Sequence, residues 1–579
     1  MNRKEIAVLG GLILLLLLWP MMGPRIERQL FPQPEAPERP AVTEDAPAPT
    51  PELRETPPVI EAVEALPPEP DAEPAEPDPV VQPEIPEQTT LLTNDLVRLE
   101  LTTRGGAFTS ALLKAYRQTV DEDSPPVLLD FGPRRALAYS DLPGFDRNSV
   151  LHLREVEPGR MVQLEARSPD GIVMKRTLHL DDRYVITAVD TFSNTTQRAV
   201  SLPQHSIELG MMQDETGGQA PRGVVFLGAD AQLHGGRGVE HFGRRQLPNA
   251  AKRAADGIAT IPTEGPIDWL SAKSRYFVQI LRPEDDTVKG IIFGAKEDPR
   301  DRALAQVSGD IVFPAITLDP GQTFQRNMSY YAGPKRYSII RELRNNQAEV
   351  MEFGLFSPIC KFLLWVLNLI HERLWPHNYG LAIILLTIVI RGIFWPITHK
   401  STESMRKMQE LAPVLQEVKE KYKDNPQKQQ QAMMEIYREN KVNPLGGCMP
   451  MLIQIPVFFA LFVVLRSAIE LRFAGFLWVR DLSEPENLFA GMLPFGLGLN
   501  ILPILNAASM SLQQRLTPTA GDPRQANMMK FMPIMMLILF YNFASGLVLY
   551  WTTNQVVMMT QQVLYHRRRE RQKQAKAVR

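Results

Sequence analysis

One arginine stands inside an apolar run, and its position demands an explanation. Arg391 follows Leu381–Ile390 and precedes Pro396 by five residues. If the helix ends at Pro396 on the cytoplasmic side, the guanidinium lies at a depth of roughly 8 Å. An arginine at a helix centre costs about 2.5 kcal/mol or more on insertion scales, and less nearer the interface. Such a side chain either snorkels to the interface or faces a wet cavity, where it can attract negative charge. Spacing alone leaves both open. Thr387 lies one turn earlier on the same face. Gln454, Asn506, Ser509, Thr552, Thr553, Asn554 and Gln555 place polar groups in other apolar segments. Polar groups facing lipid are unfavourable, so they are expected to converge on a hydrophilic groove. Several could instead be hydrogen bonds between packed helices.

Nothing in the sequence points to catalysis. There is no Gly-x-x-x-x-Gly-Lys-Ser/Thr motif, so no nucleotide engine is expected. His371-Glu372 lacks the second histidine of a zinc protease, and Ser545 lacks the flanks of a nucleophile elbow. His152, His179, His205, His234 and His241 have no ligand spacing and read as surface or packed histidines. The two cysteines, Cys360 and Cys448, fall on either side of an expected span, so neither a disulfide nor a thiolate metal site is expected. The reading is a protein that is not an enzyme and has no cofactor and no metal.

The elements that must position these residues are unevenly distributed. Net charge is −2, but residues 31–90 are acidic and the last fourteen residues are basic. Residues 1–24 carry Arg3 and Lys4 before an apolar run from Ile6 to Met22. With no small-x-small cleavage site after it, this reads as a retained signal anchor with a cytoplasmic N-terminus. Residues 31–88 are dense in Pro, Glu, Asp and Ala, which suits a disordered periplasmic tether. Residues 90–345 read as an all-β domain. Val97, Leu99 and Leu101 alternate with polar neighbours, and Met161–Ala166 and Ile172–Leu180 flank the turn signal Ser168-Pro169-Asp170-Gly171. A further strand-like run, Tyr184–Phe192, follows, and many short strands predict a large antiparallel sandwich.

After Phe353 the composition is that of a membrane protein. Spans are predicted at Asn378–Pro396, Met449–Leu465 and Met492–Met510. The run Phe531–Tyr565 is too long for one span, and Asn542–Gly546 divides it into two with a tight outer turn. The segment 353–371 contains Lys361 and reads as an amphipathic helix in the outer interface. Making it a span would move the basic loop 398–448 and the tail 566–579 outside, against the positive-inside rule. The core therefore covers 378–565, with a cytoplasmic helical hairpin at 399–445. Met408, Leu411, Leu415, Val418 and Tyr422 follow helical spacing there, and Asp424-Asn425-Pro426 makes the turn. Met433 and Met434 on the return helix offer an adaptable surface.

Several strings in order now carry a resemblance: Arg391-Gly392-Ile393, the hairpin, Asn443-Pro444-Leu445-Gly446-Gly447-Cys448, Leu452-Ile453-Gln454 and Ser545-Gly546-Leu547-Val548-Leu549-Tyr550. With the order of anchor, tether, β domain and core, the chain resembles the YidC/Oxa/Alb family of membrane protein insertases in its long Gram-negative form. The resemblance implies an anchor helix, a periplasmic β-supersandwich and a five-span α-helical core, six transmembrane helices in all. It also implies a groove open to cytoplasm and lipid, with Arg391 as its arginine and Thr387, Gln454, Asn506, Thr552 and Asn554 as companion polar residues. Thr387, Ile455, Phe458, Tyr550 and Trp551 map onto client-contacting positions. The partners implied are nascent membrane proteins, the Sec translocon with its accessory subunits, the ribosome through the basic tail and cytoplasmic loops, and the bilayer. No sequence-specific nucleic-acid binding is implied. Two rival readings are a secondary transporter, which would show internal repeats that are absent here, and an anchored carbohydrate-binding scaffold.

Overall fold

A computed structural model of the chain describes residues 86–577, apart from 214–226, 237, 244–245, 255–256, 285–287, 297–303, 441, 443–448, 490–497 and 517–522. The expected anchor at 1–24, nearly all of the tether, the string Asn443–Cys448 and Pro494 lie outside the described residues.

The β domain opens with a four-stranded antiparallel sheet, β1 (Thr89–Thr93), β2 (Val97–Thr102), β3 (Ala107–Arg117) and β4 (Pro126–Asp130). β2 buries Val97, Leu99 and Leu101 and exposes Arg98 and Glu100, as alternation requires. The larger sheet is built around β5 (Met161–Arg167), β6 (Ile172–Leu180), β7 (Val185–Asn194), β8 (Ile258–Lys273), β9 (Phe277–Pro283) and β10 (Thr323–Pro334), which lie in the order β8-β9-β10-β7-β6-β5. The β5–β6 turn falls on Ser168–Gly171. Gly171 has φ +89°, and a Cβ there would stand 2.3 Å from Thr196 Cγ2.

Asp190 on β7 faces Arg176 on one neighbouring strand and Arg326 on the other, at matched register. Arg176 donates to both Asp190 oxygens at 2.8 and 2.7 Å, and Tyr139 donates to the same carboxylate at 2.6 Å. Arg326 donates to the Tyr139 hydroxyl at 3.3 Å and lies 2.8 Å from His205 Nε2. Strand pairing thus builds a fully buried charged row, in which each cross-strand step supplies a partner.

The membrane-type region contains α1 (Ser357–Arg373), α2 (Tyr379–Glu410), α3 (Ala412–Lys421), α4 (Pro426–Glu439), α5 (Met449–Ser467), α6 (Ile501–Leu516), α7 (Pro523–Phe540) and α8 (Ser545–Ala577). Gly354–Arg373 and Tyr379–Ser404 are long and apolar enough to cross a membrane by length and composition, and Ile453–Ser467 and Lys530–Phe540 are shorter apolar stretches.

Two sequence-based boundaries need correction. Pro396 does not end its helix: α2 runs through it to Glu410. Proline removes one hydrogen bond and crowds the carbonyl one turn back, which can kink a helix without ending it. The span expected at Met492–Met510 is instead a helix from Ile501 to Leu516, so Pro503 sits in its first turn, where a missing N–H costs little. The last helix runs on from the expected span through most of the basic tail, to Ala577. By contrast, the division of Phe531–Tyr565 occurs where expected, between Phe540 and Ser545.

The hairpin forms from α3 and α4, with the end of α2 leading in. Asn425 caps α4 by accepting from Lys428 N at 3.1 Å. Leu415 is buried, whereas Val414 and Met434 are exposed, so the apolar seam is only partly covered.

Candidate functional site

Arg391 is only 6% exposed, so it does not snorkel. It projects from α2 toward α8, where its Nε donates to Asn554 Oδ1 and its Nη2 lies 3.7 Å from Met558 Sδ. No acidic residue among the described ones pairs with it. Two turns of spacing explain the partners: Tyr550, Asn554 and Met558 recur every four residues along one face of α8. Tyr550 is buried and its hydroxyl accepts from Gln454 Nε2 of α5. One polar face is therefore assembled from three helices, around a cation.

Thr387 is fully buried one turn before Arg391, and its hydroxyl donates back to Ile383 O at 2.6 Å. It sits on the arginine's face without an interhelical hydrogen bond of its own. Asn506 and Thr552 belong elsewhere. Asn506 Nδ2 donates to Thr552 Oγ1 at 3.5 Å between α6 and α8, and Thr552 is two residues from Asn554, hence on nearly the opposite side of α8. These two form a helix-packing pair, one of the two uses that the sequence left open. The structure brings Arg391, Asn554 and Gln454 together around Tyr550, and it does not add Asn506 and Thr552 to that cluster.

The apolar candidates line a neighbouring wall. Phe458 meets Trp551 edge-on at 5.1 Å, Phe540 lies 5.4 Å from the same indole, and Phe458 also contacts Phe459 and Phe462. Ile455 is 39% exposed on α5, one turn before Phe459. Trp551 Nε1 and Gln555 Oε1 are buried without a hydrogen-bond partner among the described residues. Buried polar atoms of this kind are the ones that water or a polar ligand satisfies.

Met558 was not legible as a partner of the arginine, because methionine in an apolar run carries no polar signal. Its four-residue spacing from Asn554 was the available clue. The histidines likewise hold a surprise. Asp230, His241 and Glu352 bring ligand-type atoms within 4.8 Å of one another, although their spacing in sequence gave no hint. The Lys273 ammonium lies 2.7 Å from Asp230 and 3.0 Å from Glu352, so a lysine supplies the positive charge at this place. Burial alone would raise the Glu352 carboxyl, but Lys273 beside it holds it down to about 2.

Two family models match the chain: a 60Kd inner membrane protein model over residues 370–573 and a YidC periplasmic domain model over residues 89–366. A relative in Syntrophobacter fumaroxidans called membrane protein insertase YidC is 32% identical over 505 residues, covering 85% of this chain and 88% of the relative. One of the same name in Pelobacter propionicus is 40% identical over 298 residues, 51% of this chain and 54% of the relative, so the match spans about half of that protein. A solved structure described as an active YidC insertase with its first transmembrane domain resolved is 17% identical, with a TM-score of 0.33, covering 81% of this chain and 91% of the solved one.

Proposed function

Because the chain belongs to the YidC family of membrane protein insertases, we propose that it inserts newly made membrane proteins into a bacterial inner membrane and assists their folding through the groove at Arg391. The observation that carries the site is a buried guanidinium with no acidic partner among the described residues, held by a neutral amide. A cation so placed is available to a client's acidic side chains. The client's short polar segment enters beside Arg391, Thr387, Gln454 and Asn554. Its apolar segment passes along Ile455, Phe458, Tyr550 and Trp551 into lipid.

Hydrophobic transfer drives the step, at about 25 cal/mol per Å² of apolar surface removed from water. The membrane potential adds roughly 2.3 kcal/mol per 100 mV for each negative charge moved outward. A short tail can therefore cross without nucleotide hydrolysis. Long charged domains exceed this drive, which is the reason to expect the Sec translocon as a partner. The incompletely buried seam of α3 and α4 and the basic end of α8 receive the client from the ribosome or cytoplasm.

The topology follows from charge. The N-terminal anchor begins in the cytoplasm, the β domain is periplasmic, and the hairpin and C-terminus are cytoplasmic. The helix α1 lies in the outer interface even though its length would allow a crossing. Lys361 near its start lies 3.5 Å from Glu349, on the segment leaving the β domain, and the His371 ring near its end stacks on Tyr379 at 3.8 Å. Both ends thus meet groups on the outer side. Depletion of the protein followed by protease mapping of newly made small membrane proteins tests the function. Unchanged insertion of every such client would refute it.

A further inference from the structure

The loop between α5 and α6 carries no charged residue from Phe473 to Val479. It folds back at Phe476-Leu477-Trp478-Val479, where Phe476 N donates to Val479 O at 2.8 Å and Val479 N donates to Phe476 O at 2.9 Å. Leu477 and Trp478 therefore form the tip. Tight turns of this kind favour glycine, asparagine or aspartate, and Leu477 takes φ +52°, which leucine rarely adopts. Both tip side chains point away from the protein, Leu477 at 76% exposure, while Val479 beside them is buried. In water, such a tip leaves apolar surface uncovered.

Two contacts fix where the tip stands. Phe476 packs over Gly380, in the first turn of α2, so closely that a Cβ there would stand 2.2 Å from Phe476 Cγ. Asn378, just before α2, donates through Nδ2 to Gly475 O at 2.9 Å. As a helix, Tyr379–Ile397 spans roughly 28 Å, close to the hydrocarbon thickness of about 30 Å. Gly380 thus lies at the edge of that layer, and the tip lies beside it. The neighbouring surface is of the same kind. Leu374 and Trp375, in the link from α1 to α2, are exposed, Trp375 at 87%, and Leu381, Ile388 and Val389 continue the apolar surface along α2. No Asp, Glu, Lys or Arg occurs between Arg373 and Arg391. The indole of the tip is held in place. Trp478 Nε1 donates to Glu486 Oε2 at 2.7 Å, and the same carboxylate accepts from Ile501 N and Leu502 N at the start of α6. An indole with its N–H on a polar group and its ring on an apolar surface suits the membrane–water boundary.

We propose that Leu477 and Trp478, together with Trp375, form an apolar wedge that enters the bilayer at the headgroup–acyl boundary and pins the outer end of α2 at a fixed depth. The occupant is phospholipid, because the patch runs without a charged break into the exposed apolar side of α2. Arg373 and Arg480, both exposed, border it and suit lipid phosphates. Assignment of the wedge to the outer leaflet rests on the topology given above; its contact with lipid does not.

The test uses full-length protein lacking Cys360 and Cys448, reconstituted in vesicles of phosphatidylethanolamine and phosphatidylglycerol. A nitroxide is attached to single cysteines in Leu477→Cys and Trp375→Cys, with Asp170→Cys and Ile388→Cys as references for water and for the hydrocarbon. Collision rates with oxygen, which concentrates in lipid, and with a water-soluble nickel chelate report depth. The labels replacing Leu477 and Trp375 are expected roughly 5–10 Å below the phosphates, the depth of interfacial apolar faces. A second measurement needs no label: the part of the tryptophan emission that Trp478→Phe removes should be quenched by lipids brominated near the glycerol end of their chains. Nickel-chelate access at Leu477 equal to that at Asp170, or a Trp478 emission that brominated lipid leaves unchanged, overturns the wedge. A label shielded from both reagents would put protein on the tip, such as a second copy of the chain, and would also overturn it. Reduction of an inserted label by ascorbate added only on the side of the α3–α4 hairpin would uphold the contact with lipid while refuting the topology.

Discussion

If Arg391 acts on clients through its charge, replacing it should separate clients by their acidity. A client carboxylate about 5 Å from the guanidinium, in a medium of effective dielectric near 20, gains about 3 kcal/mol. Water in the groove reduces this to about 1–2 kcal/mol, which corresponds to roughly tenfold in insertion. Arg391→Ala is therefore expected to slow an acidic-tail client roughly tenfold and a neutralised version of it by less than about threefold. Arg391→Glu should be worse than alanine for the acidic client. Arg391→Lys keeps the charge but loses the Nε hydrogen bond to Asn554, a loss of about 1 kcal/mol, so it should stay within a few-fold of the parent. The assay is protease mapping of both clients at matched levels of each variant. Equal loss for the two clients with Arg391→Ala would refute the electrostatic role. A fall in protein level and protease resistance with Arg391→Lys would show that the planar fork is structural instead.

Other expectations can be checked directly. In a background without Cys360 and Cys448, single cysteines replacing exposed Asp170 and Gln430 should react with an impermeant thiol reagent from opposite faces of the membrane, and same-side reaction would remove the proposed topology. Asp190→Ala strands the fully buried Arg176 and should destabilise the β domain by about 3–5 kcal/mol in denaturant unfolding. A change under about 1 kcal/mol would contradict that. Glu352 has a depressed carboxyl, so its stabilising effect is complete above the ordinary value near 4.5 and is lost as pH falls toward about 2. Unfolding temperature should therefore drop between pH 5 and pH 3 by more in the parent than in Glu352→Gln, and parallel curves would sink the role of its contact with Lys273.

Much of the architecture was legible because it depends on local pattern. Alternation placed β2, the turn residues placed the β5–β6 hairpin, and the Asn542–Gly546 break divided α7 from α8. Pro396 misled because an interior proline can kink a helix as well as end it, and the sequence alone does not tell the two apart. The polar residues of the spans were found by type, but their faces were not. Thr552 and Asn554 are neighbours in sequence, yet they serve different helix pairs.

The central claim is tested most directly with the purified full-length protein in liposomes. A small client with an apolar segment and a short acidic tail is added without nucleotide, and the tail is probed with external protease. The account expects the tail to become protected in vesicles carrying the protein, more so with an inside-positive potential, and protection to fall with Arg391→Ala. Protection equal to that in protein-free vesicles would contradict it.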